Sequence, residues 1–291
     1  MKLKPIDILN EIRMQRALRP HQSALLLEGR TDCSYFRGIA CKENCRIYPT
    51  NGKVIARKAA KLALDEGLDG VVTVLDRDHD GILGRELVHP NVVYTDENDL
   101  EIMVVKSPGF ERYLNEYLDY DDRDRILNST SHESISDLLL AQAGVIGVLR
   151  CLNTVNTWNL KCRDIEISEA IDSSANVVSA NRLVSHVFGI TTQANATLEE
   201  IERAFTKKLS EAHNKAEYAV GHDVTKLISF FLSEQIWIPV EMTVEPYQIE
   251  QGLRLCFSDA LFQETSLHAG IRKWEKENEP YKLLGQQTRD P

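Results

Sequence analysis

The chain contains no run of eighteen apolar residues, and its opening, Met1-Lys-Leu-Lys-Pro5, has no apolar stretch of the kind an export leader needs. These absences argue against a membrane span and a secretory signal, and the expectation is a cytoplasmic protein with no membrane partner. There is no internal repeat and no low-complexity tract, which sets aside solenoids and extended linkers. No Gly-x-x-x-x-Gly-Lys-Ser/Thr motif occurs, so a P-loop nucleotide site is excluded. Cysteine is sparse, with six in all, and Cys33, Cys41 and Cys45 lack the second close pair or histidine that a zinc site requires. In a reducing compartment all six are expected as thiols. Basic charge is also short: 34 Lys and Arg stand against 44 Asp and Glu, for a net charge of −10. A stand-alone nucleic-acid binder usually carries a basic track, and none is visible here. Lys53, Arg57, Lys58 and Lys61 do share one helical stretch, which reads either as a solvated face or as one turned to a phosphate backbone. At 291 residues the chain can hold one large or two small domains with a substantial core.

What is present is concentrated in one segment, Val71-Val-Thr-Val-Leu-Asp-Arg-Asp-His-Asp-Gly81. Five apolar or β-branched residues predict a buried strand of a parallel sheet. Three aspartates at alternate positions then fall at its carboxyl end, where open α/β sheets place their ligands. Asp76, Asp78 and Asp80 repel one another, and a hard cation such as Mg²⁺, Mn²⁺ or Ca²⁺ would relieve that repulsion. An EF-hand calcium loop fits less well. Its final glutamate position holds Leu87, and a strand precedes the loop where a helix is needed. A Walker B strand lacks its partner motif. Taken alone, the segment reads equally as a solvated acidic turn after a core strand.

A second apolar run, Ser23-Ala-Leu-Leu-Leu-Glu-Gly-Arg-Thr-Asp32, also ends in a carboxylate, Glu28. Gly29 permits a tight turn, and Thr31 or Asp32 can cap the helix that follows. Between the two runs lies Arg46-Ile-Tyr-Pro-Thr-Asn-Gly-Lys53, a short strand and turn. It opens a helix over 54–64 with Val54, Ile55, Ala59, Leu62 and Ala63 at helical spacing. The order β-α-β-α-β builds a parallel sheet through right-handed crossovers. A fourth strand, Asn91-Val-Val-Tyr-Thr95, feeds Asp96-Glu-Asn-Asp-Leu-Glu101 and brings further carboxylates to the same edge.

These four strand ends carry Glu-Gly-x-x-Asp, Asn-Gly-Lys, Leu-Asp-x-Asp-x-Asp and Thr-Asp-x-Asn-Asp-Leu-Glu. Together they resemble the Toprim fold, most closely the Toprim effectors of PARIS-type anti-phage defence, relatives of the overcoming-lysogenization-defect (OLD) nucleases. A later Gly221-His-Asp-Val-Thr-Lys-Leu helix start is similar to this subgroup. The resemblance is dense over residues 20–105 and thin beyond. It implies an α/β fold, a Toprim-like Rossmannoid parallel sheet with an additional, mainly helical C-terminal region, divided as residues 1–106 and 107–291. It also implies a Mg²⁺- or Mn²⁺-dependent nuclease. Asp76 and Asp78 would be metal ligands, and Glu28 a ligand or general acid/base. Asp80, Asp99 and Glu101 would be available to a second ion. Lys53 would stabilise charge on the phosphorus, although an ordinary surface lysine at a helix start fits its position too. The implied biology is a toxic effector held by an ABC-type ATPase and released on phage sensing to cleave RNA, with transfer RNA as target and a homodimer on release. An OLD-like DNA endonuclease and a non-catalytic Toprim module are the alternatives.

Beyond residue 106 the pattern is helical. Pro108-Gly109 breaks the chain, and helices are expected over 110–120, 134–152, 204–218, 224–236, 247–262 and 267–274. His222 could reach the active site, although a helix cap or core position suits it as well. Trp158, Trp237 and Trp274 are expected in the core.

Overall fold

A computed structural model describes residues 3–285. They form two compact units, one of residues 3–100 with 258–285 and one of residues 101–257. The expected division placed everything after residue 106 in one helical domain. Instead, the helices after residue 258 belong with the sheet.

In the first unit, helix α1 (Pro5–Arg16) precedes the alternation β1 (Ser23–Leu27), α2 (Arg30–Ile39), β2 (Cys45–Pro49), α3 (Lys53–Asp65), β3 (Val71–Leu75) and β4 (Val92–Tyr94). The strands make one parallel sheet in the order β2-β1-β3-β4. All five residues of β1 and of β3 are buried, which explains why their sequences are apolar throughout instead of alternating. Each fully covered leucine of β1 contributes about 1.5–3 kcal/mol of burial. The chain steps from β1 outward to β2 and back across to β3, so right-handed crossovers put α2 and α3 on opposite faces. Ile8, Leu9 and Ile12 of α1 join Ala59 and Ala63 of α3 over Ala24 and Leu26. Phe36 of α2 meets Phe262 edge-on, with centroids 6.1 Å apart.

The buried stripe of α3 is Ala56, Ala59, Ala60 and Ala63, while Val54 is 65% exposed. The expected stripe, which began at Val54, is therefore rotated. Small alanines let the helix lie close on the sheet, which outweighs the preference of a valine for cover.

The second unit is helical. Its longest helix, Ile135–Asn156, is capped by Ser134, whose Oγ accepts the Asp137 N–H at 3.0 Å. By length and composition it could cross a membrane, but 67% of its most apolar window is buried within the protein, as in a core helix. Gly144 and Gly147 lie against the Lys215 and Tyr218 backbone, where a Cβ would collide with a carbonyl.

Several helix limits differ from the sequence expectation because polar caps interrupt the apolar period. Pro108 starts a helix, Pro108–Leu114, behind the Ser107 cap, and does not break the chain. Asp119 then caps a separate helix, Tyr120–Asn128, accepting the Asp122 N–H at 2.8 Å. The helix expected over 204–218 begins at Leu198 behind a Thr197–Glu200 capping box and ends at Glu211. The segment 247–262 divides into Pro246–Cys256 and Asp259–Gln263, the latter capped by Ser258. The helix expected over 224–236 runs Gly221–Ser233, and the last is Ser266–Glu277. Trp158, Trp237 and Trp274 are all buried.

Candidate metal-binding active site

Glu28 is the first residue after β1, and Asp76 the first after β3. The strands are parallel neighbours with Leu27 opposite Val74, so both acids leave the same sheet edge side by side. Glu28 Oε1 accepts the Asp76 N–H at 3.0 Å, and the Glu28 carbonyl accepts the Gly52 N–H at 3.0 Å. That second bond draws the turn after β2 against the end of β1. Asn51 (φ 58°) and Gly52 (φ 122°) both occupy the left-handed region, and together they turn the chain sharply enough to start α3 at Lys53. On the other side, Asp32 Oδ2 accepts the Gly29 N–H at 2.9 Å from the first turn of α2. Its capping role is thus as the sequence indicated.

Burial dominates the electrostatics of the two strand-end acids. It pushes the Glu28 carboxyl up to about 7; Lys53 opposes this, and Asp78 and Asp32 add to it. The Asp76 carboxyl is raised well above the usual range, first by burial and then by the charges of Asp32, Glu28, Asp99 and Asp78. Asp99 is itself buried. The edge therefore holds more negative charge than it can comfortably keep ionised.

The one ammonium in this group is Lys53. Its Nζ lies 2.7 Å from Asp78 Oδ2, 2.7 Å from Asp80 Oδ2 and 3.3 Å from the Arg77 carbonyl. Burial works against the charged amine, but Asp78, Asp80 and Glu28 outweigh it and hold Lys53 more basic than usual. The lysine is thus an ordered member of the acid cluster and only 16% exposed. Asp78 sits at φ 47°, a conformation aspartate tolerates better than most residues, and its N–H donates to the Asn98 carbonyl at 2.7 Å. Asp80 also takes Arg57 Nη2 at 2.7 Å, and the same nitrogen lies 3.3 Å from the Tyr94 hydroxyl.

The structure thus gathers Glu28, Lys53, Asp76, Asp78, Asp80 and Asp99 in the sheet unit. Glu101 lies in the helical unit, where its Oε1 accepts from Arg254 Nη1 at 3.2 Å. Asp96 is spent on a helix start, accepting the Ser266 and Leu267 N–H groups at 2.7 Å each. His222 is neither a cap nor a core residue; it is 56% exposed with Nδ1 3.5 Å from Glu250 Oε1. Its neighbour Asp223 is fully buried in a bidentate pair with Arg150, both contacts 2.7 Å. Arg57 and Tyr94 are participants that sequence patterning did not single out. In the sequence Arg57 reads as part of a basic helix face, either solvated or turned to a phosphate backbone, and only its position on α3, one turn beyond Lys53, hints at a role inside the acid cluster.

Among the described residues, no three carboxylate, imidazole or thiol side chains are already drawn together closely enough to ligate an ion. The hydrogen bonds explain the spacing: Glu28 reaches to the Asp76 backbone, and Asp78 and Asp80 reach to Lys53. The donor set nevertheless fits a hard divalent cation. It offers carboxylate oxygens only, and the raised Glu28 and Asp76 carboxyls mark negative charge that such an ion would answer. No known family model matches the chain, and no curated protein matches it.

Proposed function

We propose that this protein is a metal-dependent, Toprim-type nuclease and the toxic effector of a cytoplasmic anti-phage system. The observation that carries the reading is the pairing of Glu28 and Asp76 at adjacent parallel strand ends, both with raised carboxyls, beside the ordered Lys53. Mg²⁺ or Mn²⁺ would suit this site best; Asp76 and Asp78 would hold it, and Glu28 and Asp99, whose charges act on Asp76, would be the further carboxylates available. When bound, such an ion would supply Lewis-acid polarisation of a phosphodiester and a lowered pKa for a water.

The remaining chemistry belongs to the chain. Glu28, with its carboxyl near 7, can hold or release a proton at neutral pH, as a general acid/base must. Lys53 holds positive charge at the site where negative charge grows on the phosphoryl oxygens. Asp80, shared between Lys53 and Arg57, anchors that ammonium. The fuller reading takes RNA, and transfer RNA in particular, as substrate. It takes an ABC-type ATPase as the partner that restrains the enzyme until a phage is sensed, with a homodimer formed on release. These last elements rest on the resemblance of the strand-end motifs.

The test is cleavage of labelled transfer RNA and of duplex DNA by the purified protein, alone and co-expressed with any ABC-type ATPase encoded beside it, with Mg²⁺ and with chelator. Mg²⁺-dependent RNA cleavage that Glu28→Ala abolishes supports the reading. Cleavage of DNA alone would identify an OLD-like endonuclease. Absence of any cleavage by free and released protein would leave a non-catalytic module.

A further inference from the structure

The acid cluster is not evenly charged. Around Asp76 it is anionic: the charges that act most on this residue are those of Asp32, Glu28, Asp99 and Asp78, all carboxylates. Around Asp80 it is already neutralised. Asp80 Oδ2 lies 2.7 Å from both Lys53 Nζ and Arg57 Nη2, and Lys53 Nζ lies 2.7 Å from Asp78 Oδ2. Two carboxylates there face two cations.

Lys53 is held the way oxygen ligands hold a metal ion. An ammonium carries three donors, and three oxygens surround this one: Asp78 Oδ2, Asp80 Oδ2 and, at 3.3 Å, the Arg77 carbonyl. The base of the side chain is fixed as well. Lys53 opens α3 directly after Gly52, whose N–H donates to the Glu28 carbonyl at 3.0 Å. Arg57, the second cation on Asp80, lies 3.3 Å from the Tyr94 hydroxyl and so is itself ordered. Lys53 engages Oδ2 of Asp78, and Oδ1 is not part of that contact. One carboxylate can thus serve the lysine and an ion together, as a shared ligand serves both ions of a two-metal phosphodiesterase site.

We propose that Lys53 is a tethered second cation: the site takes a single divalent ion, at Asp76 and Asp78, and the ammonium fills the place of the second ion of a two-metal site. Asp80, expected from the sequence as a ligand for that second ion, is instead a positioning residue that holds Lys53. The proposal rests on the metal-dependent reading above and adds to it the number of ions and the reason for that number. A cation tethered by the chain is present at every metal concentration, so metal binding follows a single-site curve.

The test counts ions. The metal-stripped full chain is titrated with Mn²⁺ and free Mn²⁺ is read by electron paramagnetic resonance, in high salt to screen ions held loosely by an acidic surface. The expected count is one ion per chain in the wild type, lost in Asp76→Asn. Lys53→Met opens the second place, and the count should rise to two. The double variant Lys53→Met, Asp80→Asn removes a ligand from the opened place and should return the count to one. Two ions in the wild type would overturn the proposal and leave the metal-dependent reading standing. A count of one in folded Lys53→Met would also overturn it, as would a second ion that the double variant retains. No bound Mn²⁺ in the wild type would sink that reading and the proposal with it. If circular dichroism shows Lys53→Met misfolded, Asp80→Asn decides. As an anchor for Lys53, its loss leaves the single ion in place; as a metal ligand, its loss would weaken binding by about tenfold or more and overturn the proposal.

Discussion

Glu28 Oε1 accepts the backbone N–H of Asp76 at 3.0 Å, so the carboxylate ending one strand is fastened to the peptide that carries the next acid. The Glu28 side chain is thereby aimed by a backbone bond. Glu28→Ala should lower cleavage by about 10²–10⁴-fold, the usual range for a general acid/base. Metal affinity, followed by Mn²⁺ titration, should fall less than in Asp76→Asn. Full activity in Glu28→Ala would remove this residue from the mechanism.

Stability should depend on pH in a direction set by the same residue. The folded Glu28 carboxyl is raised from 4.5 to about 7, so the native state holds this proton more tightly than the unfolded chain. Its contribution is complete below about pH 4.5 and is lost as pH rises through about 7, a difference of about 2 kcal/mol after allowing for partial solvent access. In chelator, the wild type and Glu28→Gln should be alike below about pH 4.5, and the wild type should lose stability relative to the variant as pH rises through about 7. Mg²⁺ should stabilise the wild type more at pH 8 than at pH 6, because ligands must shed protons to bind it. A wild type that gains stability relative to Glu28→Gln as pH rises would contradict the assignment.

Lys53 makes an opposed pair of expectations. Removing its ammonium in Lys53→Met releases Asp78 and Asp80 from their shared counterion. Mn²⁺ should then bind more tightly, while turnover falls by about 10²-fold or more for want of charge stabilisation. A lysine with no role in the site would leave both quantities unmoved.

In the helical unit, Asp223 is fully buried against Arg150 with two contacts of 2.7 Å. Asp223→Ala strands a largely covered guanidinium and should cost about 3–5 kcal/mol, read from the urea midpoint. The double variant Arg150→Met, Asp223→Leu should recover much of that loss. If Asp223→Ala costs under 1 kcal/mol, the pair is not the clamp between its two helices that the geometry describes.

A smaller effect is expected at Asp96, which takes the N–H groups of Ser266 and Leu267. Asp96→Ala should cost about 0.5–2 kcal/mol as a lost helix cap, with the metal titration unchanged. A collapse of metal binding would instead place Asp96 among the ligands.

The strands were legible because each is a short apolar run closed by a turn, and β1 and β3 are so fully covered that no polar alternation dilutes the signal. The acids Glu28 and Asp76 were legible for the same reason, since each follows directly on such a run, and Asp78 stands two positions further on. Caps were the main source of error. Asp119, Ser258 and Thr197 each redirect a helix with one side-chain bond, and an apolar-period reading passes over them.

Local order was determined by the sequence itself. Strand identity, turn position and the carboxylate at each strand end depend on residues within a few positions of one another, and these neighbours are present in the unfolded chain. Tertiary structure alone decided the rest. It paired β1 with β3, turned Lys53 and Arg57 of α3 onto Asp78 and Asp80, rotated α3 onto its alanines, and joined the segment after residue 258 to the sheet unit. Those outcomes follow from which surfaces bury best together across long stretches of chain. The choice is made by packing and charge over the whole unit, where no local pattern can record it.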